Sequence, residues 1–265
     1  MLKRLYQQIL SERFREKLSP VLQKIWRSWC RFLGKNPTRE GIGIVRKISR
    51  RSRVYLKVSF AQQGEDLIVD RILQRILGRK LSNPGVYVDV GAYHPIEHSV
   101  TYLLYLRGWK GIAIDASSTT QNEFLKYRNK DDFFNCVVGG KDNLDVDFYV
   151  SEGVEGDRSL INTKYPDNDD RYRKVTLKQR SINSILDDRN ITKINVLNID
   201  IEGAELEVLE SLDFDKFRPD IVAVEIHGND IEVCLQSPVA ELLFSKGYKC
   251  VATAVITYFF VLRGN

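Results

Sequence analysis

Several residue patterns on which common protein functions depend are missing from this 265-residue sequence. Its four cysteines, Cys30, Cys136, Cys234 and Cys250, lack Cys-x-x-Cys spacing, which favours buried reduced thiols over disulfides or a zinc site. No apolar run approaches the about 20 residues that a membrane span requires. The amino terminus lacks the apolar core of a signal peptide. We therefore expect a cytoplasmic protein without a transmembrane segment.

The glycine pattern of a dinucleotide site is also missing. Such a site needs Gly-x-Gly-x-x-Gly, because the pyrophosphate must approach the start of a helix closely. Only Gly91 is present, and Tyr93 and Pro95 follow it in place of further glycines. S-adenosylmethionine has no pyrophosphate and needs only a tight turn, a carboxylate for its ribose and room for its methionine end. The sequence thus favours S-adenosylmethionine, and a nicotinamide oxidoreductase is the weaker alternative.

The residue pattern around Gly91 predicts a nucleoside-binding βαβ unit. Residues 86–90 form an apolar, β-branched run typical of a buried parallel strand, and Gly91 permits a tight turn after it. Helix-like spacing over 96–106 leads to a second apolar run that ends at Asp115. Ligands bind at the carboxyl ends of parallel strands, where this carboxylate can accept hydrogen bonds from both ribose hydroxyls. An ordinary βαβ unit with a chance acid is the alternative.

Two later apolar runs also end in side chains that can carry chemistry. The strand predicted from Ile194 onward ends at Asp200, with Glu202 and Gly203 before a helix that extends to residue 212. The strand predicted over 221–227 presents Glu225 and His227. The other predicted elements are helices at 67–77, 117–129, 181–188 and 238–244, strands at 133–138, 146–150 and 175–177, a lid or mobile loop at 153–173, and an antiparallel pair at 248–255 and 257–262.

Charge divides the chain into two parts. Residues 1–58 contain 16 Lys and Arg against 3 acids, a net charge of +13, whereas the whole chain carries +5, so residues 59–265 carry −8. We predict a basic helical arm and linker over 1–53 and one domain over 54–265. Residues 1–34 have Trp and Leu at helical spacing and are predicted to lie at the inner face of a membrane. A helix packed on its own domain is the equal alternative, and a nucleic-acid contact is the weaker one.

Five motifs, in order, resemble those of one family. They are Phe-Ala-Gln-Gln-Gly-Glu-Asp-Leu over 60–67, Val-Asp-Val-Gly-Ala-x-His-Pro over 88–95 with Ser99-x-Thr101, Gly-Trp-Lys-Gly-Ile-Ala-Ile-Asp over 108–115, Asn-Ile-Asp-Ile-Glu-Gly-Ala-Glu over 198–205, and Glu225-Ile-His227. Over residues 59–263 the chain resembles the FkbM-type S-adenosylmethionine-dependent methyltransferases. The resemblance implies an α/β class I methyltransferase (Rossmann-like) fold, with a seven-stranded mostly parallel sheet and an antiparallel last strand. The amino-terminal helical extension predicted from residue spacing lies outside the resemblance. The resemblance also implies methyl transfer to a hydroxyl, often on a sugar or polyketide.

The motifs and the strand ends together define the candidate site. Cofactor-binding candidates are Glu65, Asp89, Val90, Gly91, Ala92, Asp115 and Ala116. Catalytic candidates are Asp200, Glu202 and His227, and His227 is the better general base because imidazole titrates near neutral pH. These three side chains can alternatively bind a divalent metal that acidifies the acceptor hydroxyl, but the sequence shows no ligand geometry and we assign no metal site.

Three classes of function are compatible with these residues. We favour an O-methyltransferase that acts on a sugar, glycan or other small molecule, with cell-surface polysaccharide biosynthesis as a setting that also uses the basic arm. A nucleic-acid methyltransferase is the second class, although the Asn/Asp-Pro-Pro-aromatic motif of amino-methylating enzymes is absent and residues 59–265 are acidic. A non-catalytic S-adenosylmethionine-binding module is the third, and Asp200, Glu202 and His227 argue against it.

Removal of the basic arm should abolish binding to anionic membranes. We expect the full chain to sediment with vesicles that contain anionic lipid and a chain starting at Val54 to stay in solution, because the charge and the apolar face are lost together. Replacing Trp26 and Trp29 by alanine is the control, since it keeps the charge and removes apolar area. Equal sedimentation of full-length and truncated chains would disprove the membrane contact.

Overall fold

The computed structural model describes residues 57–80, 82–117, 120–151, 172–228 and 230–262. The predicted arm, most of the predicted loop at 153–173 and the boundary between 53 and 54 lie outside these residues, so they stay predictions. The described strands are β1 (Val86–Val90), β2 (Lys110–Asp115), β3 (Asp132–Asn135), β4 (Val137–Gly139), β5 (Leu144–Ser151), β6 (Tyr172–Ser181), β7 (Val196–Ile199), β8 (Ile221–Glu225), β9 (Tyr248–Ala254) and β10 (Thr257–Leu262). The described helices are α1 (Glu65–Arg75), α2 (Tyr102–Leu106), α3 (Gln121–Tyr127), α4 (Ile182–Asp188), α5 (Glu205–Ser211), α6 (Phe214–Phe217), α7 (Ile231–Cys234) and α8 (Pro238–Ser245).

Seven strands form the main sheet in the order β3-β2-β1-β7-β8-β10-β9. Strands β3, β2, β1, β7 and β8 pair in parallel, while β10 runs antiparallel to both of its neighbours, β8 and β9. This confirms the predicted seven-stranded sheet with a reversed last strand. The carboxyl ends of β1, β2, β7 and β8 lie at one edge of the sheet, because parallel strands share their direction.

Helices cover both faces of this sheet because alternate strand residues point to opposite sides. On one face, Val88 and Val90 of β1 pack with buried residues of α4, α5 and α8. On the other, Tyr87 packs with Val69 and Leu73 of α1. The β1 residues 87–90 are all buried, as expected for a strand with covers on both sides.

Hydroxyl caps begin two of these helices where the sequence predicted them. The Ser181 hydroxyl accepts a hydrogen bond from the amide of Ser184 at 3.2 Å, and helix α4 follows as predicted. The Ser237 hydroxyl caps α8 in the same way, with Pro238 in the first turn. Among the described residues, no helix is long and apolar enough to cross a membrane.

The apolar run at 133–138, predicted as one strand, is divided at Cys136. Strand β3 pairs with β2 in the main sheet, whereas β4 leaves it and pairs with β6 in a second, three-stranded sheet of order β4-β6-β5. The prediction was wrong because an apolar run does not reveal which sheet each of its halves joins. Strand β6 is also longer than the predicted 175–177, since it pairs with β5 over eight residues.

Two helix starts differ from the prediction. Helix α2 begins only at Tyr102, because Tyr93 (φ 48°) and His98 (φ 57°) adopt left-handed conformations that do not continue a helix. The intervening turn is held by the His94 ring, whose Nδ1 accepts hydrogen bonds from the amides of Ile96 and Glu97. Helix α3 begins at Gln121, not at the predicted Ser117.

Replacing Gly111 by alanine should destabilise the sheet. An added Cβ would lie 1.9 Å from the Tyr87 ring across β1 and β2, so we expect the free energy of unfolding to fall by about 2 to 3 kcal/mol. Gly140→Ala is the matched control, because its Cβ would meet nothing closer than 3.8 Å. Urea unfolding of the two variants measures the difference, and equal stabilities would contradict the packing of Tyr87 on Gly111.

Candidate active site

A cleft of about 550 Å³ opens at the carboxyl ends of β1, β2, β7 and β8. This is within the usual size range of small-ligand sites, and its position is the one expected for an open parallel sheet. All the residues named as candidates from the sequence line this cleft: Glu65, Asp89, Val90, Gly91, Ala92, Asp115, Ala116, Asp200, Glu202 and His227. The structure thus brings the candidates together, while the role of each stays a prediction.

The turn after β1 is fixed by a close backbone approach. Gly91 has φ 83°, and a Cβ at this position would lie 1.6 Å from the carbonyl oxygen of Asp200. The amides of Gly91 and Ala92 both donate hydrogen bonds to the carbonyl of Ile114, at 2.9 and 3.0 Å. Only glycine therefore fits here, and the ends of β1, β2 and β7 are held together by backbone contacts.

The carboxylate of Asp115 lies in a frame of backbone donors at the end of β2. Its Oδ2 accepts from the amide of Tyr93 and its Oδ1 from the amide of Ser117, both at 2.7 Å. Desolvation raises the pKa of Asp115, and these two amides oppose the rise. A carboxylate oxygen has two acceptor positions, so each oxygen keeps one for a further donor. A pair of adjacent hydroxyls, as in a ribose, matches this arrangement.

The wall next to Asp115 is apolar. It is formed by Ala116 and by Cys136, Val137, Val138 and Phe148, which follow β3 or belong to β4 and β5. Burial raises the pKa of the Cys136 thiol to about 11, so this sulfur is a neutral, apolar surface near pH 7. A flat apolar group such as a purine base would fit against this wall, next to the carboxylate of Asp115.

Asp89 lines the cleft, but its carboxylate is engaged by the protein. It accepts hydrogen bonds from the Asn198 side chain at 2.9 Å and from the Thr101 hydroxyl at 2.5 Å. The guanidinium of Arg128 lies 4.0 Å away with its side chain fully buried. Asp89 therefore links the lining of the cleft to the buried guanidinium of Arg128.

Arg128 is a functional candidate that sequence reasoning missed. Its Nε donates to Asp131 at 2.7 Å, and its two terminal nitrogens donate to the hydroxyls of Ser99 at 3.2 Å and Thr101 at 3.0 Å. Asp131 also accepts from the Tyr87 hydroxyl at 2.8 Å. An arginine just after a short helix usually reaches solvent, so no residue pattern indicates this burial.

The opposite end of the cleft is acidic. Desolvation, together with the nearby Glu225 and Glu202, raises the pKa of Asp200 well above its ordinary value. The pKa of Glu225 is raised by desolvation and by Glu202, but the hydrogen bond from Asp200 lowers it. A hydrogen bond between two carboxyl groups needs a proton, so Asp200 and Glu225 share one. The sequence placed Glu225 at the end of a strand without giving it a role.

His227 lies beside this carboxylate pair and is open to solvent. Its Nε2 is 3.6 Å from Glu225 and 3.8 Å from Glu202, and its side chain is 56% exposed. Desolvation raises the pKa of Glu202, and His227 opposes the rise. An exposed imidazole between two carboxylates can accept a proton from a molecule that enters the cleft.

The turn that carries Glu202 is held by Glu205, which was not among the residues predicted for the site. Glu202 has φ 54° and Gly203 φ 104°. The buried Glu205 accepts hydrogen bonds from the amides of Ile201 at 3.2 Å and Gly203 at 3.0 Å. Glu205 thereby keeps Glu202 turned towards His227.

Three ligating atoms of Glu202, Glu225 and His227 lie within 4.8 Å of one another. Carboxylates and an imidazole are ligands for divalent metals, so this set can hold a cation. It differs from the set considered from the sequence, because Glu225 takes the place of Asp200. The same geometry suits proton transfer without a metal, and we keep the assignment without a metal.

The lining of the cleft, within the described part of the chain, has six carboxylates, two histidines and no lysine or arginine. The carboxylates are Glu65, Asp89, Asp115, Asp200, Glu202 and Glu225. A negative cleft attracts a cationic ligand and repels phosphates. The described lining therefore suits a sulfonium cofactor better than a pyrophosphate or a nucleic-acid strand.

Comparison with known proteins gives a family match. The methyltransferase FkbM domain model matches residues 89–250, well over half of the chain. The search of curated proteins found no match to the chain. Similar solved structures include CalS11, a TDP-rhamnose 3′-O-methyltransferase of calicheamicin biosynthesis (12% identity, 92% of this chain and 95% of that chain covered, TM-score 0.40). Others are the 1,6-didemethyltoxoflavin-N1-methyltransferase of Burkholderia thailandensis (13%, 76% and 77%, 0.34) and the METTL16 methyltransferase domain (13%, 74% and 80%, 0.38).

Asp200→Asn should stabilise the protein at neutral pH. The raised pKa of Asp200 means that the folded state binds more protons than the unfolded state, so the wild type loses stability as pH rises from about 4 through the raised value. We expect the variant to gain at least about 1 kcal/mol at pH 8 and nothing near pH 4. Thermal unfolding across this range measures the gain. Asp145→Asn, at an exposed carboxylate outside the cleft, is the control, and a gain of equal size there would contradict the interpretation.

Proposed function

This chain belongs to the family of methyltransferases with an FkbM domain, and we propose that it transfers a methyl group from S-adenosylmethionine to a hydroxyl oxygen of a sugar or glycan. The observation that carries the proposal is the arrangement of the cleft. A carboxylate framed by two amides lies beside an apolar wall, and a histidine flanked by carboxylates lies in the same lining.

The residues present fit S-adenosylmethionine. Asp115 would hold the ribose hydroxyls, and the wall with Ala116, Cys136 and Val137 would contact the adenine. The turn at Gly91 would leave room for the methionine end near Glu65 and Asp89. Bound there, the cofactor supplies an activated methyl group on a positively charged sulfur. The carboxylates of the lining favour that charge.

The acceptor end supports transfer to oxygen. When a hydroxyl is methylated, the new O–CH₃ bond replaces the S–CH₃ bond and the hydroxyl proton must go to a base. His227 is exposed to the cleft and can take this proton, while Glu202 and Glu225 stabilise the imidazolium that forms. Asp200 lines the same cleft and can orient the acceptor by accepting a hydrogen bond from one of its hydroxyls. Most of the enzyme's contribution would be positioning of the two reactants.

A sugar or glycan acceptor follows from the family resemblance and not from the shape of the cleft. The negative lining disfavours a nucleic acid, which would bring phosphates to carboxylates. We extend the proposal to polysaccharide biosynthesis at the inner face of the membrane, where the basic residues 1–34 would hold the enzyme near its acceptor.

Titration of S-adenosylhomocysteine tests the cofactor site. We expect the wild type to bind it, His227→Ala to bind it equally well, and Asp115→Ala to bind at least roughly 100-fold more weakly, because two hydrogen bonds to a charged group are lost. Isothermal titration calorimetry measures the three affinities, with Asp145→Ala as the control for loss of a carboxylate elsewhere. A folded wild type that does not bind would disprove the cofactor.

Methyl-labelled S-adenosylmethionine tests the acceptor and the base. We expect incorporation into a panel of sugars and glycans, with NMR of the product showing a methyl ether. His227→Ala should lower kcat roughly 100-fold or more, since the base is lost while the cofactor site is intact. A methylamine product, or full activity of His227→Ala, would rule out the proposed chemistry.

A further inference from the structure

One hydroxyl in the lining of the cleft, that of Ser99, has a proton that no described group accepts at a normal hydrogen-bond distance. Ser99 is only 3% exposed, lies between β1 and α2, and lines the cleft. Its Oγ accepts a hydrogen bond from the amide of Tyr102 at 3.1 Å and from Nη1 of Arg128 at 3.2 Å. A backbone amide and a guanidinium are donors only, so both acceptor positions of the hydroxyl are filled. Ser99 can act towards any other group only as a donor.

The neighbouring Thr101 is a poor partner for that proton. The Thr101 hydroxyl donates to Asp89 and accepts from Nη2 of Arg128, and its oxygen lies 3.5 Å from the Ser99 oxygen. Hydrogen bonds between hydroxyls are normally 2.5 to 3.0 Å long. Within the described part of the chain, no closer acceptor contacts Ser99. The hydroxyl is therefore poised to donate into the cleft.

The charge distribution indicates which ligand group would take this proton. The methionine end of S-adenosylmethionine carries an ammonium and a carboxylate. The ammonium would find Glu65 and Asp89 in the lining, but the carboxylate would meet no lysine or arginine among the described lining residues. Ser99 is a neutral donor in this lining, and Nη1 of the positive Arg128 guanidinium lies 3.2 Å from its Oγ.

We infer that Ser99 donates a hydrogen bond to the carboxylate of the methionine end, and that Arg128 is a positioning residue that fixes the direction of this donor. The inference rests on the proposed function, because it needs S-adenosylmethionine in the cleft. Arg128 does not touch the ligand. It acts by filling the acceptor position of Ser99 and by holding Thr101 and Asp131 on its other donors.

A pair of ligands that differ only in the carboxylate tests the inference. S-adenosylhomocysteine has it, and S-adenosyl-3-thiopropylamine keeps the amine without it. For Ser99→Ala in the full chain, we expect the Kd of S-adenosylhomocysteine to rise roughly tenfold, because a hydrogen bond to a charged group is lost. The Kd of the thiopropylamine should change less than twofold. Ser237→Ala, which removes a helix-capping hydroxyl outside the cleft, should change neither.

Arg128→Lys should give the same selective loss, because lysine keeps the charge but cannot hold both hydroxyls in one fork. The ratio of the two Kd values is the readout, since partial unfolding weakens both ligands equally and leaves the ratio unchanged. An equal loss of both ligands in Ser99→Ala, or no loss of either, would overturn the inference. A wild type that binds neither ligand would instead reject the proposed function.

Discussion

The contact between Gly91 and the carbonyl of Asp200 is the constraint on which the cleft depends. It brings the turn after β1 within van der Waals distance of the end of β7, and no side chain fits between them. The turn also donates its amides to Ile114 at the end of β2. Three strand ends are thus joined without side chains. Backbone contacts therefore hold the end of β2, which carries Asp115, next to the end of β7, which carries Asp200.

Two separate groups of buried charged residues surround the cleft, one around Arg128 and one around Asp200. Below the cleft, Arg128 and Asp131 balance each other and leave Asp89 held by Thr101 and Asn198. At the other end of the cleft, carboxylates crowd together with no buried cation among the described residues, and the pKa of Asp200 is raised well above its ordinary value. The first system gives rigidity, because hydrogen bonds join its charged groups to one another and to neighbouring hydroxyls. The second system is destabilising, because buried carboxylates near one another favour the protonated form and raise the pKa values of Asp200, Glu202 and Glu225.

Much of this arrangement could be predicted from the sequence, because apolar runs that end in acids are easy to recognise and parallel strands deliver their ends to one edge. That logic predicts Asp115, Asp200 and His227 at one edge of the sheet, and all three line the cleft. The same logic does not find contacts between residues that are distant in the sequence. The division at Cys136 depends on which sheet each half pairs with, and the burial of Arg128 depends on three segments that meet under the cleft. Glu205 was missed because its partners are backbone amides, which leave no pattern in the sequence.

The reversal of β10 has a consequence for the width of the cleft. Because β10 runs against β8, the tip of the β9–β10 hairpin returns to the cleft, where Ile256 and Thr257 form part of the wall and the amide of Ile226 donates to the carbonyl of Ile256 at 2.9 Å. This tip carries no charge, and its neighbour Val255 is 73% exposed. Its side chains can change in bulk without altering the carboxylates or the turn at Gly91. The hairpin tip is thus a part of the wall where the width of the cleft can differ while the strand ends of the parallel sheet stay as they are.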